Sequence, residues 1–256
     1  MPNTQTISPA ICVAHWEGDL IRRLVLVLDA LVGLREATHS GDVDVAAAVT
    51  LAELAGVDAV RLGIDDELKP VAESDVRNAR RAARRFELCM AASPGLLKVA
   101  LEARPDRVLL AAGAREAGWV GGPLDLRAGR QPLTPVMHGL QEAGIPVSLR
   151  VHPRLDAVKV AHAEGATGVE LYTGAMLDLP EAERRTELEA LSDAVRLAAK
   201  LRLRIAIGGG LGYATAPEVL AGVPATEIVA VGRAAISRAL LVGLDRAVRD
   251  LRAAVQ

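Results

Sequence analysis

The sequence predicts an α/β protein, a (β/α)8 TIM barrel at 24–256 preceded by an N-terminal extension at 1–23. Three observations predict it. Short apolar runs of strand type alternate with helix-type runs eight times along the chain, the repeat a closed parallel barrel requires. The strand-type runs are almost continuously Val, Ile and Leu, as in strands covered by helices. A Gly closes several helices directly before the next strand, in AGVDAV, AGIPV and EGATGV, where a left-handed C-cap releases the chain. A doubly wound open sheet uses the same units, but eight of them favour closure.

The elements follow in order. LVLVLD (24–29) opens the barrel and VDVAAAVTLAELAG is a helix ending at Gly56. VDAVRLGI (57–64) precedes SDVRNARRAARR, where Ser74 or Asp75 can cap a helix. FELCMA (86–91) precedes PGLLKVALEAR, and DRVLLAA (106–112) precedes a long loop and then LTPVMHGLQEAG. IPVSLRV (145–151) leads into RLDAVKVAHAEG, and GVELYTG (168–174) into a long helix near 181–201. RIAIGGG (204–210) precedes TAPEVLAG, and EIVAVG (227–232) precedes a continuous helical run to the C-terminus. The Gly-rich loop 113–131 suits an active-site lid. Trp16 is a candidate docking anchor within the extension.

Composition narrows the function. The 256 residues are 51% hydrophobic, enough for a sizeable core. A net charge of −2 offers no basic field for nucleic acid. Aromatics at 2% leave almost no base-stacking platform. No apolar run reaches the ~18 residues of a membrane span, and the N-terminus lacks a signal-peptide pattern. Cys12 and Cys89 form no redox or metal spacing, so a reducing, cytoplasmic setting is expected. No His, Asp or Glu cluster has metal-ligand spacing, and the sequence calls for no cofactor. Of 30 cations only Lys69, Lys98, Lys159 and Lys200 are lysines. No strand carries one, which argues against Schiff-base chemistry.

Sites in such barrels sit where strands end, and phosphate groups bind after the seventh and eighth strands. Gly208, Gly209 and Gly210 follow the seventh; Gly232 and Arg233 follow the eighth. Both places bring Gly to a helix N-terminus, where free N–H groups attract an anion, and Arg233 adds a charge. A phosphorylated small molecule is therefore the expected ligand. Tight strand–helix turns would also use these glycines. Positions two apart in a strand share a face, so Arg61 and Gly63, Glu87 and Cys89, and Glu170 and Tyr172 form such pairs. Glu87 and Glu170 against Arg61 or Arg150 would make ion pairs in the barrel mouth. Asp29 ends the first strand and His152 the fifth. Glu170, Asp29, Glu87 and His152 are thus the candidates for proton transfer. Cys89 reads as inert core, and His138 and His162 as packing or surface residues.

The stretches LVLVLDALVGLREATH, GVDAVRLGIDDELKPVAESDVR, FELCMA, AGIPVSL, GVELYTG, IGGGLGY and VGRAAISRALLVGL together resemble the pyridoxine 5′-phosphate synthase family. They are spread over 24–250 in the family's order. The resemblance implies a (β/α)8 barrel, usually in a homo-oligomer. It implies condensation of 1-deoxy-D-xylulose 5-phosphate with 3-amino-2-oxopropyl phosphate. It also implies that much of the catalytic set is absent. Gly63 stands at the family's strand-2 general base, a His. Cys89 stands at its strand-3 Glu and Gly209 at its strand-7 His. Asp65 and Pro70 stand at an Arg and a His of the sugar-phosphate site. Val27 and Ala30 replace the Asn and His of N-x-D-H, and Thr38 replaces an Arg. Asp29, Arg35, Glu170, Thr173, Gly174, Gly210 and Gly232 are retained.

Three functions fit this pattern. One is a repurposed enzyme acting on a phosphorylated metabolite, with Arg61, Arg35 and Thr173 supporting the glycine cradle. The second is a non-catalytic binding or scaffold protein. The third is a true synthase with a rebuilt site. The enzymes predict an open pocket with converging ionisable groups. The scaffold predicts a blocked mouth.

Overall fold

A computed structural model describes residues 22–113, 115, 116, 119–126 and 133–256. Its first elements are β1 (Arg23–Val27), α1 (Asp29–Thr38), α2 (Val45–Ala55), β2 (Ala59–Ile64), α3 (Glu73–Ala82) and β3 (Phe86–Met90). There follow α4 (Pro94–Ala103), β4 (Arg107–Leu110), β5 (Arg115–Glu116), β6 (Trp119–Val120), α5 (Leu133–Glu142), β7 (Val147–Val151), α6 (Leu155–Ala163) and β8 (Gly168–Tyr172). The last are α7 (Gly174–Leu177), α8 (Glu181–Lys200), β9 (Arg204–Gly208), α9 (Thr215–Gly222), β10 (Ile228–Val231), α10 (Arg233–Val242) and α11 (Leu244–Val255). Strands β1-β10-β9-β8-β7-β4-β3-β2 close into a barrel, and every neighbouring pair in it is parallel. This is the TIM barrel the sequence predicts. Trp16, Cys12 and most of the extension lie outside the described residues, as do 114, 117, 118 and 127–131 of the expected lid. The small β5–β6 hairpin lies in the same loop.

Alternation in the strands sorts the side chains. Leu24, Leu26, Leu62, Leu88, Leu149 and Ile207 belong to one large core cluster, shared with helix residues such as Val49, Leu140 and Val248. That core is the layer between sheet and helices, and it accounts for the continuous apolar look of the strands. The barrel interior differs. Its apolar residues form two separate groups, one around Val25, Ala59, Ala206, Ile228 and Ala230 and one of Cys89, Leu109 and Ala111. Buried between them are Arg61, Glu87, Arg150 and Glu170. Branched aliphatic residues usually fill this space.

Four local expectations need correction. Asp29 is the first residue of α1 rather than the end of β1, and α1 itself was not expected. Asp75 does not open α3; it sits in the first turn, and Oδ2 accepts the Ala72 N–H at 3.0 Å. The C-terminal run breaks into α10 and α11 at Gly243, whose φ of +82° suits only Gly comfortably. The first strand starts at Arg23, one residue inside the expected extension. Other helix ends follow sequence rules: Asp44 Oδ1 accepts from Ala46 N at 2.8 Å and Ala47 N at 3.2 Å to cap α2.

Candidate active site

A cavity of about 580 Å³ opens at the C-terminal ends of the strands. Asp29, Arg61, Cys89 and Arg150 line it from one side, and Tyr172, Gly209, Gly210, Gly232 and Arg233 from another. These residues come from the ends of seven strands and the loops after them. Loop 121–126 is stitched to β7: Leu124 N–H donates to Arg150 O at 2.8 Å, and Arg150 Nη1 donates to Gly121 O.

At the floor of the cavity lies a largely buried charge network. Glu170 Oε1 accepts from Arg150 Nε at 2.9 Å and Nη2 at 2.7 Å. Its Oε2 accepts from Arg61 Nη1 at 2.7 Å. Arg61 turns its other edge to Glu87 Oε2, with Nε at 3.1 Å and Nη2 at 2.7 Å. Glu87 Oε1 lies 3.4 Å from Arg107 Nη1. Strand register explains the assembly: Arg61 stands beside Glu87, and Arg150 beside Glu170. Burial would push the Glu170 carboxyl up, but the Arg61 and Arg150 guanidiniums override it and hold it down to about 2. Glu170 stays ionised and fully engaged, which fits an anchor better than a proton carrier.

Asp29 is the opposite case. Its Oδ1 accepts the Gly63 N–H at 2.7 Å. Burial pushes its carboxyl up to about 6, against the pull of that bond and of Arg150 and Arg61. A carboxyl near 6 that borders a cavity can take and return a proton near neutral pH. Cys89 is pushed up, chiefly by burial, and is no thiolate nucleophile at neutral pH.

The other expected residues divide clearly. Gly209, Gly210, Gly232, Arg233, Arg61 and Asp29 meet at the cavity. Thr173 and Gly208 lie behind it, where Thr173 Oγ1 donates to Gly208 O at 3.1 Å and Gly209 O at 2.6 Å and so fixes the β9 end. Glu87 is not in the mouth; it lies on the far side of Arg61 and borders a different cavity. His152 is exposed and does not line the mouth. Arg35 is committed to Asp75 through two bonds of 2.7 Å, away from the cavity. Sequence reasoning missed Leu177 and Asp178 in the lining. Leu177 ends α7 and Asp178 caps it, and that single turn is too short to show a helical period. Gly121 was visible only as part of a Gly-rich loop. Among the described residues no group of three His, Cys, Asp or Glu is placed to hold a metal ion, and no helix is long and apolar enough to cross a membrane.

A closed parallel barrel with a cavity at its strand C-termini defines a TIM-barrel protein with a candidate ligand site where such barrels place theirs. Solved structures share that fold: thiamine phosphate pyrophosphorylase from Pyrococcus furiosus, at a TM-score of 0.58 and 17% identity over 93% of this chain and 96% of that one. A second is 3-hexulose-6-phosphate synthase from Salmonella typhimurium, at a TM-score of 0.59 and 18% identity over 91% of this chain and 98% of that one. At such identities the likeness shows fold alone. The family is shown by sequence: the chain belongs to the family described as Pyridoxal phosphate biosynthesis protein PdxJ, whose model matches residues 24–256. The pyridoxine 5'-phosphate synthase of a Synechococcus species is 38% identical over 230 residues, covering 89% of this chain and 96% of that protein. The one from Geobacter metallireducens is 35% identical over 231 residues, covering 90% and 96%.

Proposed function

We propose that this member of the family is an enzyme acting on a phosphorylated small metabolite, with chemistry that does not rest on the acid–base set implied by the resemblance. The observation that carries the reading is that two features line one cavity. One is Asp29, its carboxyl near 6. The other is the set Gly209, Gly210, Gly232 and Arg233. Gly232 caps α10 with no side-chain bond to the helix N–H groups, so these groups and the helix dipole remain for an anion. Arg233 is exposed and makes no ion pair among the described residues. The phosphate would bind there, Arg61 and Arg150 would orient the rest of the ligand, and Asp29 would move the proton.

The positions that the resemblance assigns to a His, a Glu and a His hold Gly63, Cys89 and Gly209. Acid–base groups contribute ~10²–10⁴-fold each, so Asp29 alone cannot replace three. Among the described residues the cavity is open, which speaks against a scaffold whose mouth is blocked by barrel side chains. The test supplies both family substrates, 1-deoxy-D-xylulose 5-phosphate and 3-amino-2-oxopropyl phosphate, and measures melting and product. The expected result is a ligand-induced rise in Tm, weakened about tenfold or more in affinity by Arg233→Gln, with no pyridoxine phosphate formed. Robust product formation would overturn the divergence, and no thermal response to any phosphorylated ligand would overturn the cradle.

A further inference from the structure

A second cavity, of about 330 Å³, opens at the N-terminal ends of the strands, the end of the barrel away from Asp29. Four arginines line it. Arg23, Arg107 and Arg204 are the first residues of β1, β4 and β9, and Arg85 immediately precedes β3. Three acids share the lining, but each is occupied. Asp58 Oδ2 accepts the Leu24 N–H at 2.8 Å and is paired with Arg252. Asp106 Oδ2 accepts the Phe86 N–H at 2.8 Å. Glu87 gives one oxygen to Arg61 and leaves the other 3.4 Å from Arg107.

Arg23, Arg85 and Arg204 therefore stand around one concavity with no ion pair among the described residues. We infer that this cavity is an anion site, in which Arg23, Arg107 and Arg204 hold a small phosphate-type oxyanion with Arg85 at its rim. Planar guanidinium forks suit such oxygens, and a multiply charged ligand resolves the repulsion among the cations. That repulsion is present: burial lowers the Arg107 guanidinium, Glu87 raises it, and Arg204, Arg61 and Arg23 lower it again. None of the four arginines borders the mouth, so this site is independent of the proposed phosphate cradle there.

The experiment measures Tm against inorganic phosphate, with NaCl at matched ionic strength to subtract plain screening. In wild type and in Arg233→Gln the phosphate-specific rise should persist. In Arg23→Gln/Arg204→Gln the apparent affinity should fall at least tenfold. Arg85→Gln, at an exposed position, supplies a second variant should the double one not fold, with an expected loss of about threefold. No phosphate-specific shift in wild type overturns the site. So does a shift that Arg233→Gln abolishes, or one that neither Arg23→Gln/Arg204→Gln nor Arg85→Gln weakens.

Discussion

Asp29 shows how one side chain can be set by its surroundings. It has one strong backbone donor, Gly63 N–H, and two guanidiniums nearby, yet burial dominates and its carboxyl rests near 6 against an ordinary 3.8. The sign of the consequence follows. A carboxyl raised by folding binds its proton more tightly in the folded state. Its stabilising share is complete below 3.8 and is lost as pH rises through about 6, a change of roughly 3 kcal/mol. Asp29→Asn keeps an acceptor for Gly63 and removes the charge. Urea unfolding across pH should then show the two proteins nearly equal at pH ~3.5 and the variant more stable above pH ~6.5, by up to roughly 3 kcal/mol. Turnover of a phosphorylated substrate should fall by ~10²–10⁴-fold. A variant less stable than wild type at neutral pH would show that Asp29 is charged and stabilising instead. Such a cost at the residue proposed to move the proton would be the usual exchange of stability for activity.

At the scale of elements, the end of β9 is the informative case. Gly208 admits the Glu170 carboxylate, whose Oε1 would lie 2.7 Å from a Cβ there. Gly209 has φ of +98°, and a Cβ on it would meet the Tyr172 ring at 2.5 Å. A side chain at 209 thus faces both backbone strain and an occupied space. Gly209→His should cost roughly 2–4 kcal/mol and produce no ring-closing activity. A double-mutant cycle of Gly209→Ala with Tyr172→Ala should return a coupling above ~0.5 kcal/mol, read by urea unfolding. Additivity there would mean the ring does not fill the position. The eight barrel strands were legible because continuous apolar runs carry their own boundaries, sharpened before β2, β7 and β8 by Gly56, Gly144 and Gly165 at positive φ. The glycine turns were legible for the same reason. What was not legible is direction. Arg35 and His152 look like site residues by position, but Asp75 takes the first and exposure outside the lining leaves the second aside. Glu87 and Glu170 share the barrel interior, and only strand register shows that Arg61 stands between them.

At the scale of the whole molecule, the barrel interior combines two small apolar groups with a buried charge network. Arg61 links its two ends: it lines the upper cavity while its partner Glu87 lines the lower one. Among the described residues, Glu170 is the one acid that both Arg61 and Arg150 share, and its residue is 0% exposed. Removing one member of a buried ion network leaves an uncompensated charge and costs ~3–5 kcal/mol. Glu170→Gln keeps the shape of the side chain, so its loss should be that of charge. As a control, Arg84 pairs with Glu53 at the surface with a side chain 75% exposed, and Arg84→Gln should cost at most ~1 kcal/mol. The pH dependence separates the two further. Glu170 is held at about 2 against 4.5, so its contribution is complete above 4.5 and is lost as pH falls toward 2. Wild type should lose stability over that range, and Glu170→Gln should lose less of it. A Glu170→Gln protein that unfolds in urea within ~1 kcal/mol of wild type at pH 7, with the same acid limb, would mean the network orders the cavity without holding the barrel together.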